Sequence, residues 1–360
     1  MLVDWPVADT GQRARRFVES VWAGRGQRAR LVRALLTPAE GVYAAVAAAR
    51  ARFYAWRLLK AEEFSVPVLS VGNMTVGGTG KTPIAAWFAQ QLRRRGAQPG
   101  IVLRGYGGGD ETRVHERLNP GVPVIASPDR VRGIREAIAQ GVDVVVLDDA
   151  FQHLRASRDA DVVLVSADAW SGRPRLLPAG PWREPLRSAR RASLLVITRK
   201  VATQSAVEEV KRALTKAASR VPTAVIHLGP EDLTSTATGQ RLPLHALRGA
   251  DLTAVAAIAN PDAFFRQLTE LGAVVRPFSF PDHHQFTPAD AARLAGEASN
   301  SDFVVCTLKD AVKLEALWPA EAGSLWYVSQ RLRIEEGQHH IERLLDDFSS
   351  LGPSAHPPQN

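Results

Sequence analysis

From residue 66 onward the chain alternates short apolar runs with longer amphipathic stretches, a pattern that predicts strands and helices in turn. Val66–Val71, Ile101–Leu103, Val122–Ala126, Val142–Leu147, Asp161–Val165 and Leu194–Thr198 read as strands. Pro83–Arg95, Asp129–Gln140 and Ala206–Ala218 read as helices, and Ala224–Leu228 as a further strand. Strands apolar at nearly every position, interleaved with helices, predict a mostly parallel sheet covered on both faces. A polar stretch rich in Gly, Pro and Thr, 229–241, then interrupts the pattern, and a domain junction is expected between residues 200 and 245. A second alternation follows at Leu252–Ala259, Ala263–Gly272, Asp302–Thr307 and Leu325–Val328 and predicts a smaller α/β domain. The expected division is an arm at 1–60, a first domain at 61–220, a second at 221–345 and a frayed tail at 346–360.

The arm has a different pattern. Thr37-Pro38-Ala39-Glu40 has the form of a helix start, with a capping Thr, Pro in the first turn and Glu three residues on. Ala39, Val42, Val46, Ala49, Phe53 and Trp56 then recur at spacings of three and four, one apolar stripe on a helix. Arg50, Arg52, Arg57 and Lys60 lie mostly off that stripe. Such a helix can lie in the head-group layer of an anionic membrane. It can equally pack its stripe on the body and leave the cations solvated, and on periodicity alone the packed reading is the commoner.

Charge sharpens this picture. The net charge is +8, and residues 1–60 carry eleven Lys/Arg against four Asp/Glu, a surplus of seven that leaves the remaining 300 residues at plus one. A basic arm ahead of a near-neutral body points to an anionic surface. No reading helix, zinc spacing or aromatic platform accompanies the charge, so nucleic acid is not expected as a partner. Nothing marks an obligate protein partner either. A single cysteine, Cys306, allows no internal disulfide and fits a reducing compartment. No run of about 18 apolar residues is present, so a membrane-spanning helix is not expected. The first residues lack the layout of a secretory signal.

The candidate chemistry begins at 71–82, VGNMTVGGTGKT, which follows a strand and opens a helix, the context a P-loop requires. Glycines let backbone N–H groups turn toward phosphate oxygens, and the helix N-terminus adds partial positive charge. Thr75, Val76, Gly77, Gly78, Thr79, Gly80, Lys81 and Thr82 are the expected nucleotide-binding residues, with Lys81 reaching the β- and γ-phosphates and the Thr82 hydroxyl on Mg²⁺. The strict pattern has Gly where Thr75 stands. The strand 142–147 ends in Asp148-Asp149, and an acid at the tip of a neighbouring strand holds Mg²⁺ in such folds. Gln152 and His153 follow at once and could orient the acids or touch substrate, though either alone reads as a turn residue; Gln152 is counted with the nucleotide-binding residues. The fold class is therefore α/β: a P-loop NTPase-type sheet, a second smaller α/β domain, and an N-terminal amphipathic helix.

The segments GNMTVGGTGKTP (72–83), RGYGG (104–108), DDAFQH (148–153), LLPAGPWREP (176–185), AIANP (257–261), FPDHH (280–284) and TLKDAVKL (307–314) resemble, in order, the motifs of the tetraacyldisaccharide 4'-kinase family, the lipid A kinases of Gram-negative bacteria. The resemblance spans residues 35–330. It implies two α/β/α domains and an N-terminal helix docked on the cytoplasmic face of the inner membrane. It also implies transfer of the γ-phosphoryl group of ATP, assisted by Mg²⁺, to the 4'-hydroxyl of an acylated glucosamine disaccharide 1-phosphate, giving lipid IVA. The family's base, an aspartate in a Gly-Asp-Glu motif, maps onto Asp110, and its supporting histidine onto His283. Asp110 would then come from the first domain and His283 from the second, with closure assembling the pair. Arg183 and Glu184 match the family's Arg-Glu-Pro segment; Arg183 could neutralise phosphate charge and Glu184 could help hold Mg²⁺.

Four positions depart from the family pattern. Ala150 stands where Gly is usual, a costly change if that turn needs φ > 0. Leu308 replaces a Glu, Thr112 replaces a Pro, and the stretch between the GYGG and Gly-Asp-Glu motifs is shortened until the two run together. Outside the resemblance, two rivals stand. One is a P-loop enzyme acting on a soluble substrate, with no use for the arm. The other is an NTPase that binds nucleic acid through it.

Overall fold

The computed structural model describes residues 17–24, 26–105, 109–172, 174–258 and 261–351. The expectations that fall on Tyr106, Gly107 and Gly108, on Ala259 and Asn260, on residues 1–16 of the arm and on 352–360 of the tail lie outside the described residues. In chain order the elements are α1 (Gln27–Ala55), β1 (Val68–Asn73), α2 (Lys81–Arg94), β2 (Pro99–Leu103), α3 (Asp110–Leu118), β3 (Val124–Ala126), α4 (Arg130–Ala139), β4 (Val144–Asp148), β5 (Ala160–Ser166), β6 (Leu194–Arg199), α5 (Gln204–Ala217), β7 (Thr223–Ser235), β8 (Arg241–Pro243), β9 (Asp251–Ala256), α6 (Pro261–Glu270), β10 (Val274–Ser279), α7 (Pro288–Glu297), β11 (Phe303–Thr307), α8 (Leu308–Leu314), β12 (Leu325–Glu336) and α9 (Gln338–Ser350).

They form two compact units. The first comprises Arg15–Gly105, His115–Leu228 and Leu332–Asn360. Its strands run in the order β7-β6-β5-β1-β4-β2-β3, all parallel. β1, β2 and β4 are buried at every position, because helices cover both faces. Ile84, Phe88 and Leu92 of α2 and Ile341, Leu345 and Phe348 of α9 join one apolar cluster with Leu69, Val146 and Leu164. Val131, Ile134 and Ala137 of α4 join a second with Val102, Val145 and Leu147. Val207, Val210 and Leu214 of α5 join a third with Val163, Leu195 and Ile197.

Among the described residues, the second unit comprises those of 109–114 and 229–331. Here β10, β9, β11 and β12 are parallel neighbours, and β8 turns back antiparallel on β7. Phe264 and Leu268 of α6 pack with Leu252, Ala254 and Val305. Ala291 and Leu294 of α7 and Ala311 and Leu314 of α8 pack with Val255, Phe278 and Cys306.

The division differs from the expected one. The chain passes from unit to unit inside β7, at Leu228/Gly229, because pairing with β8 extends the strand through Gly229 and Pro230, which a propensity reading makes a break. Residues 332–345, expected in the second domain, and 346–351, expected in the tail, belong to the first unit through the apolar face of α9. Asp110, expected in the first, belongs to the second.

α1 also starts earlier than expected. Thr37 is not a cap: its Oγ1 donates to the Arg33 carbonyl (3.1 Å), and Pro38 lies inside the helix. Glu40 does not fold back on the helix start. It accepts from Arg175 Nε (2.9 and 3.1 Å) and from the Leu176 N–H (2.7 Å). Tyr43 Oη donates to the Arg183 carbonyl (2.9 Å), so one side of α1 is tied to the 175–183 loop. The predicted stripe is not on that side. Val42 is 66% exposed, Val46 63% and Trp56 65%, and Leu31 and Leu35 extend the exposed band toward the N-terminus. By length and composition α1 is long and apolar enough to cross a membrane, although Arg33, Pro38 and Glu40 interrupt its apolar run.

Candidate active site

Strand β1 delivers the phosphate loop. Asn73, its last residue, is fully buried and organises the loop behind it. Its Nδ2 donates to Thr79 Oγ1 (2.8 Å), its backbone carbonyl accepts from Gln152 Nε2 (2.8 Å), and its Oδ1 accepts from Arg183 Nη2. The Thr198 hydroxyl donates to the Thr79 carbonyl (2.9 Å). On the other side Val76 N–H donates to the Pro181 carbonyl (2.8 Å), Arg183 N–H donates to the Met74 carbonyl (2.7 Å), and Thr75 bridges to Trp182. Thr75 thus has a strand-like role that needs no glycine. The turns are made at Gly77 (φ +115°) and Gly80 (φ +87°), and Gly80 caps α2. A Cβ on Gly80 would stand 2.3 Å from Leu228 Cδ1. Gly80→Ala is therefore expected to combine about 1–2 kcal/mol of left-handed strain with a steric clash, lowering the melting temperature and ATP affinity together. Unchanged values in calorimetry would contradict this loop geometry.

Lys81 lies at the start of α2, its Nζ donating to the Gly77 carbonyl (3.4 Å), and Thr82 is buried beside it. Register pairs Val71 of β1 with Asp148 of β4, which brings the two acids to the same sheet end as the loop. The two do not share an environment. Asp149 forms a two-pronged pair with Arg183 (2.7 and 3.2 Å). Burial would raise its pKa, but the charge of Lys81 and the Arg183 bond outweigh this and hold it below the usual carboxylate range. Asp148 is buried, with Oδ2 on His115 Nε2 (2.9 Å) and Oδ1 without a partner among the described residues. The backbone position with φ > 0 is Asp149 (+55°), not Ala150, so Ala150 is accommodated without left-handed strain.

Glu184 is placed differently from expectation. Both of its oxygens accept from Arg191 Nη2 (2.9 and 2.8 Å), and that guanidinium lies 4.4 Å over the Phe151 ring. Among the described residues no cluster of three or more His, Cys, Asp or Glu is placed to hold a metal. The set Thr82, Asp148, Asp149 and Glu184 is thus not a carboxylate cage. A Mg²⁺ that arrives with a nucleotide needs no cage, since one or two carboxylates, water and phosphate oxygens complete its shell. The unpartnered Asp148 Oδ1 and the Thr82 hydroxyl are hard oxygen donors that fit it.

In the second unit, Asp110 opens α3. Its Oδ1 accepts from the Glu111 N–H (2.9 Å) and its Oδ2 bonds His283 Nδ1 (2.9 Å). The pair lies within one unit, so domain closure is not what brings it together. The shortened segment before Asp110 still delivers the carboxylate to His283. His283 sits at φ +59°, its side chain 37% exposed against 1% for Asp110. The Asp110 bond raises the His283 pKa despite burial and Lys309. Burial would raise Asp110, but His283, Lys309 and Lys313 hold it low. Lys309, which sequence reasoning gave no role, pairs with Glu111 (3.2 Å). Asn73, Lys309 and His115 were all missed. Asn73 and Lys309 stand inside quoted motifs, and His115 carried no sequence signal. Leu308 packs on the apolar cluster around Val255 and Phe278, which accounts for an apolar residue where the family has Glu.

The family described as Tetraacyldisaccharide-1-P 4'-kinase matches residues 32–349. A Tetraacyldisaccharide 4'-kinase of Anaeromyxobacter sp. (strain Fw109-5) is 37% identical over 93% of this chain and 97% of its own length. One from Methylobacillus flagellatus is 35% identical over 84% and 88%. Among solved structures, LpxK from Aquifex aeolicus in complex with ATP is similar, with a TM-score of 0.70 and 28% identity over 88% of this chain and 99% of that one. The ordered motifs, the phosphate loop and a match along nearly the whole length place this chain in the tetraacyldisaccharide 4'-kinase family.

Proposed function

We propose that the chain transfers the γ-phosphoryl group of ATP to the 4'-hydroxyl of an acylated glucosamine disaccharide 1-phosphate at an anionic membrane surface. The observation that carries the nucleotide half is a loop braced by Asn73 with Lys81 and Arg183 bonded to it, Asp149 bonded to Arg183, Thr82 in the helix it opens and Asp148 at the same sheet end. Lys81 and Arg183 supply positive charge beside the negative charge carried by the transferring group. Gln152 holds the loop through the Asn73 carbonyl. Thr82 and Asp148 are the residues that would hold Mg²⁺, which when bound neutralises phosphate charge.

A sugar hydroxyl must lose its proton as it attacks phosphorus. Sequence reasoning puts the base on Asp110. The exposed member of the pair is His283, whose Nε2 carries no partner among the described residues, while Nδ1 faces the buried carboxylate. We assign the proton to His283 Nε2, with Asp110 orienting the ring and stabilising the imidazolium. Because the His283 pKa is raised, the accepting neutral ring forms only as pH rises through that value. The transfer rate is expected to climb with pH and level off above it. A pH-rate profile without an inflection in His283→Asn, but with one in the wild type, checks this.

The exposed band of α1, flanked by exposed Arg28, Arg30, Arg50 and Arg52, supports docking in the head-group layer on the cytoplasmic face of the inner membrane. The bonds of Glu40 and Tyr43 to the body favour a helix lying on the membrane over one spanning it. Replacing Val42 and Val46 by Asp is expected to abolish flotation with anionic liposomes while leaving ATP binding intact. Retained flotation would remove α1 as the docking element. Activity on the lipid in mixed micelles, and none stimulated by DNA or RNA, separates this reading from its soluble-substrate and nucleic-acid rivals.

A further inference from the structure

One turn and a half into α3, the helix buries a histidine against the acidic end of β4. We propose that His115 is a positioning residue for the metal carboxylate, fixing Asp148 so that Oδ1 is the oxygen a divalent cation takes. This rests on the reading above that Asp148 holds Mg²⁺.

His115 is fully buried and Asp148 nearly so, and their contact, Nε2 to Oδ2 at 2.9 Å, is the only bond the imidazole makes among the described residues. Nδ1 is buried without a partner. An imidazole with one nitrogen unsatisfied is a poor core residue, since an aliphatic side chain would fill the space without the desolvation penalty. Stability therefore does not account for it, and its one bond does. That bond fixes the carboxylate rotamer and occupies Oδ2, leaving Oδ1 buried and without a donor. Arg130 Nη2 donates to the Asp148 backbone carbonyl (3.2 Å), so the strand end is held as well. The neighbouring acid is differently engaged: both Asp149 oxygens are paired with Arg183. Of the two acids, Asp148 is the one with an oxygen to offer, and His115 determines which oxygen it is. Partners behind a metal ligand orient it and raise its basicity, and losing one typically weakens metal affinity about 10–100-fold.

The test is the Mn²⁺ affinity of the full chain saturated with a non-hydrolysable ATP analogue, read by the electron paramagnetic resonance of the ion. His115→Leu keeps the volume and removes the donor, and is expected to weaken Mn²⁺ about 10–100-fold with analogue affinity in EDTA unchanged. His115→Gln restores an N–H donor and is expected to recover most of the affinity. Asp148→Asn separates the two levels. If it leaves Mn²⁺ affinity unchanged, the metal reading of Asp148 fails. If it weakens Mn²⁺ while His115→Leu does not, the metal reading stands and the role of His115 is overturned. Should His115→Leu fail to fold, the ¹⁵N spectrum of the wild-type histidine rings decides. Adding Mg²⁺ to the analogue complex is expected to shift the His115 Nε2 resonance, and an unmoved resonance overturns the proposal.

Discussion

Lys81→Ala is expected to lower phosphoryl transfer about 10²–10³-fold or more, because it removes a positive charge fixed beside the loop where negative charge shifts during transfer. The fold should survive. Among the described residues the Lys81 ammonium makes one hydrogen bond, to the Gly77 carbonyl at 3.4 Å, and the loop is held independently by Asn73, Thr198 and Pro181. A melting curve close to wild type alongside collapsed turnover is the expected combination. A second consequence concerns Asp149: Lys81 is the largest of the charges holding its pKa down against burial. In the variant that pKa rises, so residual activity is expected to fall off at higher pH in the acid range than in the wild type. Near-normal turnover would contradict the assignment of the phosphate loop.

Asp110→Asn is expected to lower turnover about 10²–10⁴-fold, the range of general acid–base contributions, with little change in ATP affinity. It replaces the carboxylate that chiefly raises the His283 pKa by a neutral amide, so the inflection of the pH-rate profile should move to lower pH. The two shifts also set a stability window. Asp110, held below the ordinary 3.8, contributes stability that is present above that value and lost as pH falls through its folded pKa. His283, raised above 6.5, contributes stability that is present below that value and lost as pH rises through its folded pKa. The wild type should therefore exceed Asp110→Asn in melting temperature most clearly between about pH 4 and 6.5. A collapse of ATP affinity instead would make Asp110 part of the nucleotide site.

Much of this was legible in the chain because parallel strands buried on both faces have an unmistakable pattern. Val144–Asp148 and Val68–Asn73 fall where their apolar runs predict, within two residues. The phosphate loop was legible because its function constrains the local sequence. β7 was cut short because Gly229 and Pro230 have poor strand propensity, and pairing with β8 is a tertiary effect. α1 begins eleven residues before its apparent start because Thr37-Pro38 imitates a helix N-terminus, and whether its stripe is covered depends on the packing of another segment. Within the site, Asp110 and His283 lie 173 residues apart, and their pairing is a product of the fold. The same holds for Glu184, whose engagement by Arg191 no spacing reveals.

The most direct test of the proposed reaction is transfer of radiolabelled γ-phosphate from ATP to tetraacylated disaccharide 1-phosphate in mixed detergent micelles. A labelled, Mg²⁺-dependent lipid product is expected. ATP hydrolysis without a labelled lipid would leave the phosphate loop in place and contradict the lipid acceptor.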